Sequence, residues 1–233
     1  MHDSLGDRIK SQYEDRTRYS LPRRTYTIIR IDGKSFHSWT RGFDRPYDLT
    51  LMGWMNYAAQ QCVKQIQGCK FAYVQSDEAS FLLTDFDDIK TDAWFDGNIQ
   101  KIVSVSASLF TAYFNLYAGE RPNPEFARGP ATFDSRTFII PDRNEVANYF
   151  VWRFKDCKRN SISSLAQFHF SHKQLLNKSQ IEMLDMIYEA CPDGAWDKQN
   201  EGFKNGRFIT KDEVKPCEFR TFEDWITKVP ILG

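Results

Sequence analysis

Two acids stand where apolar strands would end. The first, Asp32, closes the apolar run of "TIIRIDGKSF" (27–36), and the second, Asp77, interrupts "FAYVQSDEASFLL" (71–83). In "TYTIIRID" the even residues Tyr26, Ile28, Arg30 and Asp32 share one face, and in "FAYVQSD" so do the odd residues Phe71, Tyr73, Gln75 and Asp77. Period-two alternation therefore lets Asp32 and Asp77 meet at adjacent strand ends. Two carboxylates held that close repel, so the pair requires a proton or a cation. Magnesium suits such a pair, because it takes one or two carboxylates and completes its shell with water and substrate phosphates. Two such ions about 4 Å apart can clamp the attacking and leaving oxygens of an in-line phosphoryl or nucleotidyl transfer. The neighbours fit that chemistry: Gly33 permits close backbone approach, Lys34 adds positive charge, and the Ser35 and Ser76 hydroxyls can bond phosphate oxygens. A plainer reading competes. Asp-Gly after a strand is a common turn signal, and "SDEA" is an acceptable hairpin tip with solvated acids. The residues alone leave both readings open.

The elements that must hold these residues follow from spacing. Leu5, Ile9 and Tyr13 recur at i+4 and predict an opening helix, closed by Pro22. "RTYTIIRI" (24–31) predicts a strand ended by Asp32-Gly33. Asp48 is placed to cap a helix carrying Met52, Met55, Ala59, Val63 and Ile66, which Gly68 stops. Strands at roughly 70–75 and 79–84 form a hairpin about "SDEA", and a helix follows over about 98–117. "PATFDSRTFIIP" (130–141) reads as a strand pair or a bulged strand between prolines. Asp142 with Glu145, and Ser179 with Glu182, have capping-box spacing and open two more helices, the first reaching about 157. "GRFIT" (206–210) predicts a late strand. The order predicts an α+β fold, a mainly antiparallel sheet with helices on one face. A soft boundary near Pro141 divides a sheet-bearing part, 1–141, from a basic, helical part, 142–233, within one compact unit.

Composition bounds the function classes. With 233 residues, 41% hydrophobic and 27% charged, the chain can bury a real core. Lys+Arg and Asp+Glu both number 31, so total charge points to no polyanionic partner. Locally, Arg153, Lys155, Lys158, Arg159, Lys173 and Lys178 face only Asp156 between 150 and 180. The five cysteines are odd in number and form no C-x-x-C pair, which argues against a disulfide framework or a zinc site. No apolar leader or membrane-length run is present, and the expectation is a cytoplasmic protein with reduced thiols.

"RIDGKSFHSWTRGFDRPYD" together with "YVQSDEASFLL" resembles the tRNA-histidine guanylyltransferase family, whose members extend RNA in the 3′-to-5′ direction. "FDSRTFIIP", "VWRFKDCKRNS" and the late "GRF" are similar to that family in order and spacing, so the resemblance spans about residues 5–210. It implies a polymerase-like palm sheet with a helical C-terminal subdomain. It also implies two Mg2+ ions held by Asp32 and Asp77 with the Gly33 carbonyl, and Glu78 matches a further family acid at the metals. A nucleotide triphosphate would lie along Asp32, Gly33, Lys34, Ser35, Phe36 and His37, with Ser76, Asp77, Arg45 and Asn160 adding contacts. Arg159 and Lys178 would bind triphosphate or the RNA 5′ end. The implied partners are tRNA and ATP, GTP and other NTPs; family members often form tetramers, which leaves a homotetramer open. Members that add guanosine to histidine tRNA carry His-Ile-Asn-Asn after the Asp-Cys pair, whereas here Lys158, Arg159, Asn160 and Ser161 follow Asp156-Cys157, and only Asn160 matches. The run "RNSISSLAQFHFSHKQLLNKS" instead resembles the bacterial, archaeal and phage branch, associated with template-dependent repair of 5′-truncated tRNA. A non-catalytic RNA-binding protein is the alternative from another class. A palm-domain cyclase would need the glycines that "QSDEASF" lacks.

Overall fold

The computed structural model describes residues 4–119 and 129–228. In chain order these form α1 (Leu5–Ile9), β1 (Tyr26–Gly33), α2 (Phe36–Trp39), α3 (Leu49–Gln65), β2 (Cys69–Gln75), β3 (Glu78–Leu83), α4 (Ile99–Ala118) and β4 (Phe133–Ile140). There follow α5 (Arg143–His169), α6 (His172–Leu175), α7 (Gln180–Ala190), α8 (Glu201–Asn205), β5 (Arg207–Ile209), β6 (Val214–Pro216) and α9 (Phe219–Ile226). All strands pair antiparallel in one sheet of order β4-β1-β3-β2-β5-β6, which makes the fold α+β.

Adjacent residues Ile28 and Ile29 are both fully buried, so β1 has no wet face. On one side Ile29, Ile31, Ala72, Val74, Phe81 and Ile209 pack against α3 and α4 through Met55, Ala59, Val63, Phe110 and Phe114. On the other side Tyr26, Ile28, Phe71, Tyr73, Leu82 and Phe208 meet Val146, Phe150 and Phe154 of α5 and Phe222 of α9. The helices of the first 141 residues thus cover one face, and the C-terminal helices cover the second. A third cluster joins Leu165 and Ala166 of α5 to Leu175 and Ile187. Among the described residues, no helix is long and apolar enough to cross a membrane.

Four local expectations change. Asp32-Gly33 ends the first strand from within, as its last two residues: Asp32 still pairs with Glu78 on β3 and Asp134 on β4, because flanking strands on both sides continue the ladder. The segment 130–141 supplies a single strand, β4, in unbroken register with β1. The Asp142 cap receives the Asn144 and Glu145 amides, but α5 runs on to His169, since no Gly or Pro interrupts "RNSISSLAQFH". Finally, α1 passes into π and 3-10 turns through Thr17, and Leu5, Ile9 and Tyr13 are exposed rather than packed.

Candidate active site

The site forms where β1 meets the tip of the β2–β3 hairpin. That hairpin closes with two residues, Ser76 and Asp77, between the paired Gln75 and Glu78. Ser76 has φ +43, the left-handed conformation that so tight a turn demands. Asp77 therefore lies in the turn and not on the strand, so alternation alone does not aim it. Its approach to β1 is fixed by the backbone: the Gly33 amide donates to the Asp77 carbonyl at 3.1 Å. A Cβ on residue 33 would stand 2.3 Å from Phe36 Cδ2 and 3.0 Å from Asp77 Oδ2, so only glycine allows this approach.

Asp32 and Asp77 act on each other electrostatically. Burial first, and then the charge of Asp32, push the Asp77 carboxyl up to about 6. Among the described residues neither acid has an ion-pair partner, and both are half-buried. Two adjacent carboxylates without a counter-charge are a fit for a divalent cation. No cluster of three or more His, Cys, Asp or Glu side chains able to hold a metal occurs among the described residues. A cation here would complete its shell from backbone carbonyl, water and substrate phosphate, the pattern of Mg2+ at phosphoryl-transfer sites.

Glu78, expected among the metal ligands, is committed elsewhere. Arg153 of α5 grips it in bidentate fashion, Nε to Oε1 at 2.8 Å and Nη2 to Oε2 at 2.6 Å, with Arg30 Nε 3.7 Å from Oε2. Arg153 also pairs with Asp156 at 3.1 Å and lies over the Trp152 ring. Fork-on-carboxylate pairing uses both oxygens of Glu78, leaving Asp32 and Asp77 as the carboxylates open to a cation.

Beside Asp77 a cavity of about 310 Å3 opens between the α2–α3 segment, the hairpin tip and α5. Of the residues expected to bind nucleotide, Phe36, His37, Arg45, Ser76, Asp77 and Asn160 line it. Phe36 is otherwise a core residue, 4% exposed and stacked on Trp39. Asp32 and Gly33, at the end of β1, and Lys34 and Ser35 after them do not line the cavity. Lys34 and Ser35 are exposed, and Ser35 takes φ +54 to start α2. Arg159 and Lys178 do not line the cavity; they pair with Asp156 and Glu182 on the surface.

Several lining residues had no signal in the sequence. Tyr47 and Phe203 stack at 4.5 Å, although 156 positions separate them along the chain. Cys157, Ser161, Ser164 and Arg207 complete the far wall. Arg207 arrives there because Gly206, at φ +75, lets β5 dock against Tyr73: a Cβ at 206 would lie 2.4 Å from the Tyr73 hydroxyl. The "GRF" motif was noticed for its resemblance alone, and no periodicity announced a cavity residue.

With this geometry described, comparison with known proteins is decisive about kinship. The family model for tRNAHis guanylyltransferase matches residues 6–141, more than half of the chain. The chain is similar to a bacterial tRNA(His) guanylyltransferase-like protein in complex with ATP, at TM-score 0.84 and 40% identity over 91% of this chain and 92% of that one. A bacterial tRNA(His) guanylyltransferase-like protein in complex with GTP gives TM-score 0.76 and 39% identity over 88% and 84%. The tRNA(His) guanylyltransferase of Debaryomyces hansenii is 34% identical over 66% of this chain, which spans 59% of that relative's length. On these matches, and on a site where Asp77, paired with Asp32, lines a nucleotide-sized cavity, the chain belongs to the tRNAHis guanylyltransferase family of nucleotidyltransferases.

Proposed function

We propose that the protein is a template-dependent 3′-to-5′ nucleotidyltransferase that adds nucleotides to the 5′ end of tRNA. The observation that carries this reading is the uncompensated Asp32–Asp77 pair, of which Asp77 lines the 310 Å3 cavity. The similar bacterial proteins bound to ATP and to GTP support a nucleotide as occupant. Replacement of the His-Ile-Asn-Asn segment by Lys158–Ser161 favours 5′-end repair over obligatory guanosine addition to histidine tRNA.

The reaction has two displacements. First an RNA 5′-monophosphate oxygen attacks the α-phosphorus of ATP; pyrophosphate leaves and the 5′ end carries AMP. Next the 3′-hydroxyl of an incoming NTP attacks that 5′-phosphorus, AMP departs, and the RNA is one residue longer at its 5′ side. Asp32 and Asp77, with the Gly33 carbonyl, would hold Mg2+, which supplies charge neutralisation and a lowered pKa for the attacking hydroxyl. Asp77 would hold the cation as the carboxylate, the form that dominates above about pH 6. Lys34, Ser35 and Ser76 would orient phosphate oxygens, and the first amides of α2 add donors. His37, Arg45 and Asn160 would contact the nucleotide from the cavity side.

The test is incubation with a series of 5′-shortened tRNAs, ATP and each NTP in turn, read by 5′-end sequencing. Wild-type protein is expected to extend the truncated ends by pairing with the opposite strand, and Asp77→Ala and Asp32→Asn to lose at least 1,000-fold in rate, as expected when a metal ligand is removed (about 4 kcal/mol). Near-normal incorporation by Asp77→Ala would overturn the assignment.

A further inference from the structure

One positive charge is buried in the cavity wall with nothing to neutralise it. Arg207 of β5 is 4% exposed and lines the cavity. Its Nε donates to Asn56 Oδ1 at 2.9 Å and its Nη1 to the Gly202 carbonyl at 3.4 Å, both neutral acceptors. Nη2 is buried without a hydrogen-bond partner. The groups acting electrostatically on this side chain are Cys157 and Tyr73, not carboxylates, and burial holds its pKa below the usual arginine value. An isolated buried charge costs several kcal/mol, so a fold gains by keeping one only where a partner supplies the opposite charge.

The adjoining wall has matching chemistry. Cys157, Asn160, Ser161 and Ser164 recur at i, i+3, i+4 and i+7 on α5. The Ser161 hydroxyl donates to the Lys158 carbonyl at 2.8 Å and accepts from Trp196 Nε1 at 2.9 Å, so the face offers the Asn160 amide and the Ser164 hydroxyl to the cavity. A guanidinium fork beside such donors suits phosphate oxygens. A base edge carries only partial charge and would leave the buried cation unneutralised. Arg159 and Lys178, the cations expected at the phosphates, are instead spent on Asp156 and Glu182.

We propose that Arg207 is a phosphate-binding residue, donating to phosphate oxygens of the nucleotide or of the RNA 5′ end when either occupies this cavity. The proposal rests on the nucleotidyl-transfer reading of the site and assigns a residue of β5 in the wall of the cavity that Asp77 also lines.

The test is calorimetry in Mg2+ buffer on the full chain and its Arg207→Met and Arg207→Lys variants, with tripolyphosphate, GTP, guanosine, and one short RNA bearing either a 5′-phosphate or a 5′-hydroxyl. Arg207→Met should weaken binding at least tenfold either for tripolyphosphate and GTP, which makes the nucleotide the source, or for the 5′-phosphorylated RNA alone, which makes it the RNA end. Arg207→Lys should fall between, with guanosine and 5′-hydroxyl RNA unchanged. The ligand-free Tm of Arg207→Met should equal or exceed that of wild type, because an uncompensated charge has been removed. Equal loss for guanosine and GTP, unchanged affinity for every phosphate, or a lower ligand-free Tm with binding intact would each overturn the proposal. Wild-type protein that binds none of these ligands would overturn the transferase reading as well, so the two failures are distinct.

Discussion

At the scale of single residues, Asp77 is where folding and function pull against each other. Its carboxyl is raised from 3.8 to about 6 in the folded protein, by burial and by Asp32. The folded state therefore binds more protons than the unfolded state between those values, and stability falls as pH rises through that window. Above about pH 6 the full penalty applies, on the order of 1–3 kcal/mol once solvent at the half-exposed turn is allowed for. In the presence of a chelator, Asp77→Asn should accordingly raise the Tm at pH 7.5 and leave it almost unchanged at pH 4. Thermal melts at both pH values check this, and a stabilisation of equal size at pH 4 and 7.5 would show that proton linkage is not its cause. Added Mg2+ should stabilise wild type and not the variant, since binding to the folded state alone shifts the equilibrium.

At the scale of elements, the hairpin tip is held from behind by α5. Glu78 and Arg153 are 8% and 7% exposed, and their bidentate contact joins the β3 end to the middle of that helix. Arg153→Met leaves a buried carboxylate with Arg30 at 3.7 Å and a long Ser80 hydroxyl contact at 3.5 Å, and should destabilise by about 3 kcal/mol in urea titration. Combining it with Glu78→Gln should recover most of that loss, giving a coupling of about 2 kcal/mol in the double-mutant cycle; strictly additive effects would mean the pair is worth nothing. The same elements show what could be read before any coordinates. Alternation in "TYTIIRID" and "FAYVQ", and the Asp48 and Ser179 caps, are local signals, and β1, the hairpin, α3 and α7 follow from them. The length of α5 did not, because beyond 157 the sequence carries no cap or stop signal, and the packing of Leu165 and Ala166 on Leu175 and Ile187 is a tertiary contact. Glu78 entered the expected ligand set through the family resemblance alone, and its partner Arg153, 75 residues away, is not visible in the local sequence. Arg207 was unreadable as a site residue because its isolation among neutral groups is a property of packing.

At the scale of the molecule, the sheet is built by both ends of the chain. Residues 26–83 and 133–140 supply four strands, and residues 207–216 return to pair β5 against β2 at Ala72, Tyr73 and Val74. The face formed by Tyr26, Ile28, Phe71, Tyr73 and Leu82 is covered mainly by elements after residue 142, with Phe86 packed on Tyr26 at its edge. A division near Pro141 thus marks a change in helix content while the core crosses it. Residues 1–141 alone would expose that aromatic face together with the unpaired edge of β2, a combination that drives association. The fragment is expected to be aggregated or loosely folded, with poorly dispersed amide resonances and strong binding of hydrophobic dyes. Co-expression with residues 142–233 should restore a soluble, cooperatively melting complex that binds MgGTP, because the second fragment brings both the cover for that face and the α5 wall of the cavity. A monomeric 1–141 fragment with a sharp thermal transition would mean that the sheet does not depend on its C-terminal cover, and the palm would then be a separable domain.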